Sequence, residues 1–249
     1  FTDLNDSQKE AVKNLDGPLL VLSGAGTGKT RVLTARLANL LYSNKTKPWN
    51  ILAVTFTNKA AKEMRIRLES LIGPSANSVW LGTFHSIAAR ILRENAEVVG
   101  LNSNYTIITP DDQIRLLKQI MIDQDIDIKK FTPKVMSNLI SSWKDKGFKP
   151  DDINQSDHDF FANGKAINIY KMYQSRLLTL NSADFGDLLL YNLIIFTDHP
   201  DILQKYQSKM SGQTKKSKKN FLKKKNKNQN CLHNKNKNHK CLQNKNINK

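Results

Sequence analysis

The sequence predicts an α/β protein in which a parallel sheet is covered by helices and interrupted by a helical insertion. Three short apolar segments, each followed by a loop and a helical pattern, predict the strands: Leu19–Leu22, Ile51–Thr55 and Val79–Gly82. Such strand–loop–helix repeats are typical of parallel sheets, because a crossover helix returns the chain to the start of the next strand. Strand signals mostly end near Arg93, where a long region of helical spacing begins.

A helix with one apolar face follows each predicted strand. The spacing of apolar residues predicts the first helix over 30–41 and the second over 59–72, where Gly73 ends it. The third begins at about Phe84. The chain is 39% hydrophobic, which suffices for a packed core between such helices and the sheet.

Helices dominate from 93 to 176. Thr109-Pro110 and Thr132-Pro133 are typical helix starts, because threonine caps free amide groups and proline fits the first turn. A very apolar helix over 184–196 is expected to pack back on the sheet. We therefore divide the chain into a first part of the sheet domain, a helical insertion subdomain, a return segment and a tail: 1–92, 93–176, 177–210 and 211–249.

The tail, residues 211–249, differs sharply from the rest of the chain. It holds 13 Lys and no Arg, Asp or Glu, so it carries 13 of the 17 formal positive charges and leaves only +4 for residues 1–210. The globular part is thus mildly basic, and its charge says little about its partner. Lys and Asn fill 23 of the 39 tail positions, which predicts disorder because little apolar surface can be buried. Our hypothesis for its origin is an out-of-frame extension of an AT-rich gene, and the initial Phe1 likewise indicates a fragment or partial gene.

Both cysteines lie in the tail. Residues 1–210 are therefore not a disulfide-stabilised secreted domain, and a cytoplasmic location fits. Four tail residues have the chemistry of zinc ligands at unusually short spacings: Cys231, His233, His239 and Cys241. We favour an unstructured segment over a zinc site there. No stretch reaches the roughly 18 apolar residues of a membrane helix, so we expect no membrane partner.

A glycine-rich segment, SGAGTGKT at 23–30, follows the first predicted strand and opens the first helix. This context is typical of a phosphate-binding loop, because glycines let successive backbone amides turn toward an anion and the helix start is electropositive. Lys29 is expected to reach the β- and γ-phosphates of ATP, and the Thr30 hydroxyl is expected to bind Mg²⁺. The expected cofactor-binding residues are Ser23, Gly24, Ala25, Gly26, Thr27, Gly28, Lys29, Thr30 and Arg31.

The loop departs from the strict pattern at Ser23, which stands where glycine is usual. Serine is small and Gly24 lies beside it, so the turn should survive. The alternative is a strand-to-helix turn that binds no ligand. A phosphate loop by itself indicates a nucleoside-triphosphate-binding protein but does not distinguish kinases from transporters or translocases.

Four further segments carry a resemblance to a known family. They are LNDSQKEAV at 4–12, LAVTFTNKAAKEM at 52–64, GTFHS at 82–86 and DFGDLL at 184–189. In this order and spacing the chain resembles the UvrD/Rep/PcrA branch of superfamily 1 DNA helicases over about residues 3–210. The resemblance implies a RecA-like domain interrupted by a helical subdomain, with ATP and Mg²⁺ as cofactors. It also places Gln8 beside adenine, where an amide can both donate and accept; the alternative is an exposed helix-start glutamine.

The resemblance further implies that two segments hold single-stranded or partly duplex DNA. Hydroxyl and amide groups suit phosphates, and aromatic rings can stack on any base. The residues concerned are Phe56, Thr57, Asn58, Thr83, Phe84 and His85. The alternatives are core packing for either Phe and a capping or buried role for His85. Asp184 and Asp187 are interpreted as acids that favour a helix start.

One part of the family pattern is missing from this sequence. The family places an Asp-Glu pair, which holds Mg²⁺ and orients the attacking water, shortly beyond residue 210, and a second RecA-like domain after it. Neither is found in this sequence, so the sequence predicts the ATP-binding part of an ATP-dependent DNA helicase, an ATP hydrolase by family, that is truncated and inactive alone. Two alternatives stay open: a non-catalytic nucleotide- or DNA-binding module, and an unrelated P-loop phosphotransferase.

Overall fold

The computed structural model describes residues 4–24, 26–153 and 161–210. The helices are α1 Asp6–Lys13, α2 Lys29–Tyr42, α3 Asn58–Ile72, α4 Phe84–Glu94, α5 Pro110–Asp123, α6 Pro133–Asp145, α7 Ala166–Thr179, α8 Phe185–Asp198 and α9 Pro200–Met210. The strands are β1 Leu52–Thr55, β2 Trp80–Thr83, β3 Thr106–Ile107 and β4 Ser182–Ala183. The predictions for the tail, including its zinc alternative, and for Ala25 lie outside the described residues.

Two of the three predicted strands are confirmed and pair in parallel. Strand β1 lies beside β2, with Leu52 opposite Trp80 and Thr55 opposite Thr83. Helices α2 and α3 pack together and bury a core with the sheet because each has an apolar face. This core contains Leu37, Ala38, Ile51, Ala53, Met64, Leu68, Ala76, Val79 and Leu81.

The prediction of a buried strand at Leu19–Leu22 is wrong. The structure assigns no strand to this segment, and Leu20 and Leu22 are 81% and 85% exposed. An extended segment forms a strand only when a neighbouring backbone exchanges hydrogen bonds with it. Among the described residues, β1 and β2 pair with each other and β3 with β4, so no strand flanks the segment.

Helices α5, α6 and α7 share a second hydrophobic core. Thr109 and Thr132 cap α5 and α6, and proline occupies the first turn of each helix, which confirms both predicted starts. Trp143 stacks on Tyr170 with 5.7 Å between ring centroids. The short parallel pair β3–β4, which the sequence did not indicate, joins the two ends of this helical region. The division at residues 93 and 176 stays a prediction.

Helix α8 packs mainly against α4 and α6, and α4 in turn packs on the sheet. We expected α8 to pack on the sheet, but α4 lies between them for the most part. Asn192 fixes this arrangement, since its amide donates to the Ala88 carbonyl over 2.8 Å. In the part of the chain that the structure describes, no helix has the length and apolar character needed to cross a membrane.

Candidate functional site

The glycine-rich loop leads directly into α2. Gly26 and Gly28 have φ angles of 76° and 82°, a backbone region that side-chain-bearing residues rarely adopt. Gly28 is the residue that precedes α2, and no side chain caps the helix there. Six helices have a side-chain cap instead: α1, α3, α4, α5, α6 and α8. The start of α2 thus presents uncapped amide groups, which suit an anion.

Lys29 folds back over this loop. Its ammonium donates to the carbonyl oxygens of Ser23 and Gly24 over 2.9 and 3.0 Å. The Thr27 hydroxyl donates to the Gly24 carbonyl over 2.8 Å and tightens the same turn. Carbonyl oxygens carry no formal charge, so these contacts leave the ammonium charge uncompensated at the loop. Thr30 and Arg31 follow in the first turn of α2.

Gln8 connects α1 to the loop. Its side-chain amide donates to the Thr27 carbonyl over 3.0 Å, although 19 residues separate the two. Its side-chain oxygen accepts from the Asn5 amide over 3.0 Å as part of a capping box at the start of α1. The helix-start role of Gln8 is therefore real, and the same side chain also borders the loop. Its predicted role beside adenine stays a prediction.

A second group of predicted residues lies at the carboxyl ends of β1 and β2. Because Thr55 is opposite Thr83, the residues that follow, Phe56 and Phe84, leave the sheet at the same edge. The two residues are 93% and 61% exposed. Core packing is thus wrong as an explanation for either ring. Two exposed phenylalanines at one sheet edge form a surface on which planar groups can stack.

Both predicted threonines cap helices at this edge. The Thr57 hydroxyl oxygen accepts from the Ala60 amide over 3.1 Å, and the Thr83 oxygen accepts from the Ser86 amide over 3.3 Å. Each hydroxyl keeps its own proton available as a donor. Asn58 is exposed in the first turn of α3.

His85 lies on the same surface and contacts a ring that sequence reasoning did not select. It is exposed, so a buried role is wrong, and Thr83 rather than His85 caps α4. Its ring meets Phe185 edge-on, with 6.0 Å between centroids and an interplanar angle of 71°. Phe185 is half-exposed at the start of α8. The sequence feature that could have identified Phe185 is its place in the DFGDLL segment. An apolar residue at a helix start, however, predicts burial as readily as exposure.

Asp184 and Asp187 start α8 as expected, since each side chain accepts from the other's backbone amide. The structure adds a partner that the sequence did not reveal. The Lys144 ammonium lies 2.7 Å from a carboxylate oxygen of each aspartate. Burial alone would raise the pKa of Asp184, but the charge and hydrogen bond of Lys144, together with hydrogen bonds from the Asp187 amide and the Tyr173 hydroxyl, hold that pKa below its usual range. Burial raises the pKa of Asp187 to about 6 despite the same lysine.

The chain belongs to the UvrD/REP helicase N-terminal domain family, whose model matches residues 4–212. It is 52% identical over 209 residues to DNA helicase II of Rickettsia typhi, covering 83% of this chain and 32% of that protein. It is 43% identical over 209 residues to the ATP-dependent DNA helicase PcrA of Bacillus subtilis, covering 84% of this chain and 28% of that protein. The chain thus spans about a third of the length of these curated relatives.

Proposed function

We propose that this chain is the nucleotide- and DNA-binding N-terminal portion of an ATP-dependent DNA helicase that moves along single strands. The observation that carries the proposal is the uncapped start of α2 with the Lys29 ammonium folded over the loop, in a member of a helicase family. Uncapped amides and a nearby cation are the groups that hold phosphate oxygens. The RecA-like character of the sheet domain and the helical insertion belong to the same proposal.

In this proposal, residues 23–30 hold the phosphates of ATP and Gln8 contacts the adenine base. Thr30 contributes its hydroxyl to the Mg²⁺ that accompanies the nucleotide. The loop has room for a bound nucleotide, since a Cβ added at Gly26 would meet no atom within 4 Å and the loop is exposed to solvent. Arg31 is placed one residue further along α2 and borders the same site.

The aromatic face at the carboxyl edge of the sheet is proposed to bind single-stranded DNA. It consists of Phe56, Phe84, His85 and Phe185 and is bordered by Thr57, Asn58 and Thr83. Rings stack on successive bases irrespective of sequence, and the hydroxyl and amide groups donate to phosphates. Phosphate-loop phosphotransferases that act on small molecules do not need an aromatic face for binding DNA. The exposed rings therefore favour the helicase proposal.

The Phe56→Ala variant should bind single-stranded DNA about fivefold to about 150-fold more weakly, because loss of a base–aromatic stack costs roughly 1–3 kcal/mol. Binding is measured by the fluorescence anisotropy of a labelled dT16 oligonucleotide added to the 249-residue chain. Phe56 is 93% exposed, so thermal unfolding should not change. Trp49→Ala, which removes a ring that is 53% exposed elsewhere, is the control and should bind normally. Equal affinity of Phe56→Ala and the unaltered chain would refute this DNA-binding face.

The 249-residue polypeptide is proposed to bind Mg·ATP without turning it over, as the non-catalytic alternative also requires. Hydrolysis needs a positioned water and neutralisation of charge on the transferring phosphoryl group. Residues 211–249 hold no Asp or Glu, so this stretch of the polypeptide to be assayed supplies no such acidic pair. Phosphate release should therefore stay at the blank rate with and without dT16. Robust DNA-stimulated release by the purified chain would contradict this.

A further inference from the structure

A single buried lysine joins α6 to the first turn of α8. The Lys144 side chain is 1% exposed, and its ammonium lies 2.7 Å from Asp184 Oδ2 and 2.7 Å from Asp187 Oδ1. The same two carboxylates form the capping box of α8. Asp184 Oδ1 accepts from the Asp187 amide over 2.8 Å, and Asp187 Oδ2 accepts from the Asp184 amide over 3.0 Å. Phe185 therefore lies between two residues that one ammonium group fixes.

Further donors reach the two carboxylates from neighbouring helices. The Tyr173 hydroxyl donates to Asp184 Oδ2 over 2.8 Å, and the Gln174 amide donates to Asp187 Oδ1 over 2.9 Å, both from α7. From α5, the Gln113 amide donates to Asp184 Oδ2 over 3.3 Å. Three helices of the helical region thus direct donors at the start of α8.

The stem of Lys144 also packs against the backbone of this turn. A Cβ added at Gly186 would lie 2.9 Å from Lys144 Cδ and 3.2 Å from Lys144 Cβ, which is too close for a side chain. Only glycine lets α6 approach α8 so closely at this point. The position of α8 relative to α6 is therefore determined by the packing of the Lys144 stem on Gly186 as well as by charge.

A buried cluster of one ammonium and two carboxylates is an unfavourable way to hold two helices together, because apolar side chains of similar volume usually stabilise a core at least as well. What a hydrogen-bonded ion cluster supplies is a defined geometry. The residue whose geometry it defines is Phe185, which emerges half-exposed beside His85.

We infer that Lys144 is a positioning residue for DNA binding, which holds the start of α8 so that Phe185 completes the aromatic face. This inference rests on the proposed DNA-binding function. The helical region contributes no other described residue to the aromatic face. Through Lys144 this region controls how the aromatic face binds single-stranded DNA.

The Lys144→Met variant should bind labelled dT16 about tenfold more weakly at pH 7. Without the ammonium, two buried carboxylates face each other, and one of them must take up a proton before the turn can form. The affinity of the variant should therefore fall by up to about tenfold per pH unit between pH 7 and 9. Over this range the unaltered chain should show no such slope. Tyr170, Tyr173 and Tyr191 also face the cluster, but burial raises the pKa of each, so they stay neutral.

The exposed Lys146, two residues away, supplies the matched control, since Lys146→Met removes an equal charge outside the cluster. His85 is present in all these proteins, so its contribution to DNA binding is common to every comparison. Combining Lys144→Met with Phe185→Ala separates positioning from general damage. If Lys144 acts through Phe185, its substitution should have little further effect in the Phe185→Ala background. An equal loss in both backgrounds would mean a merely structural lysine and would overturn the inference.

Tyr173→Phe tests the same inference if Lys144→Met does not fold. It removes one donor to Asp184 and should weaken dT16 binding about threefold, again only when Phe185 is present. Absence of dT16 binding by the unaltered chain would refute the proposed function itself. Normal binding by the unaltered chain, Lys144→Met and Tyr173→Phe, with identical pH profiles, would refute only the role of Lys144.

Discussion

The Lys29→Ala variant should bind Mg·ATP about a hundredfold to about ten-thousandfold more weakly than the unaltered chain. Hydrogen bonds from a cation to phosphate oxygens are worth roughly 1.5–3 kcal/mol each, and one lysine is expected to contact two phosphates. The variant should keep the fold, because Lys29 is exposed and its partners, the Ser23 and Gly24 carbonyls, can bind water instead. Titration with a fluorescent ATP analogue in the presence of Mg²⁺ measures the effect.

Lys47→Ala is a suitable control for this titration, since Lys47 is also exposed but precedes a short turn before β1. It should bind the analogue normally. If Lys29→Ala and Lys47→Ala bind equally well, the loop does not hold the phosphates as proposed. If the folded, unaltered chain takes up no nucleotide, the proposed function fails as a whole.

The Trp80→Ala variant should lose about 3–5 kcal/mol of unfolding free energy, the usual cost of removing a large buried aromatic side chain. Trp80 is 2% exposed and joins β2 to α9, where the Tyr206 ring meets it edge-on with 6.0 Å between centroids. The Arg90 guanidinium lies 4.0 Å and the Lys209 ammonium 4.4 Å from the ring centroid. The substitution therefore removes both the packing and two cation–π contacts.

Urea unfolding followed by circular dichroism measures this loss. Trp49→Ala provides the matched comparison, because Trp49 is 53% exposed and its truncation removes much less buried surface. An equal midpoint for the two variants would show that Trp80 does not anchor α9 to the sheet. Increased proteolysis within α9 of the Trp80→Ala variant would locate the damage at the expected contact.

Several local features of the fold could be predicted from the sequence because their causes lie within a few residues. Thr109-Pro110 and Asp184 start helices through side chains that bond amides three residues away. Gly73 ends α3 by adopting a backbone conformation that other residues avoid. The glycine-rich loop also has a local cause, because Gly26 and Gly28 adopt positive φ angles that other residues avoid.

Exposure could not be predicted in the same way. Leu20 and Leu22 are as apolar as any core residue, yet they are exposed because no described strand lies beside them. From the sequence alone, Phe56 and Phe84 could belong either to a core or to a binding surface. Their positions after two paired strands, at one edge of the sheet, leave both residues exposed.

The sequence by itself determined the family and the starts of several helices. Helix starts can be predicted from sequence because they depend on short-range backbone chemistry. Only the tertiary structure decided which charges meet. Lys144 lies 40 residues from Asp184, and no pattern in the sequence relates the two. Their ion pair exists because α6 packs against α8 closely enough to exclude water, and exclusion of water is a property of the packed helices together rather than of either segment.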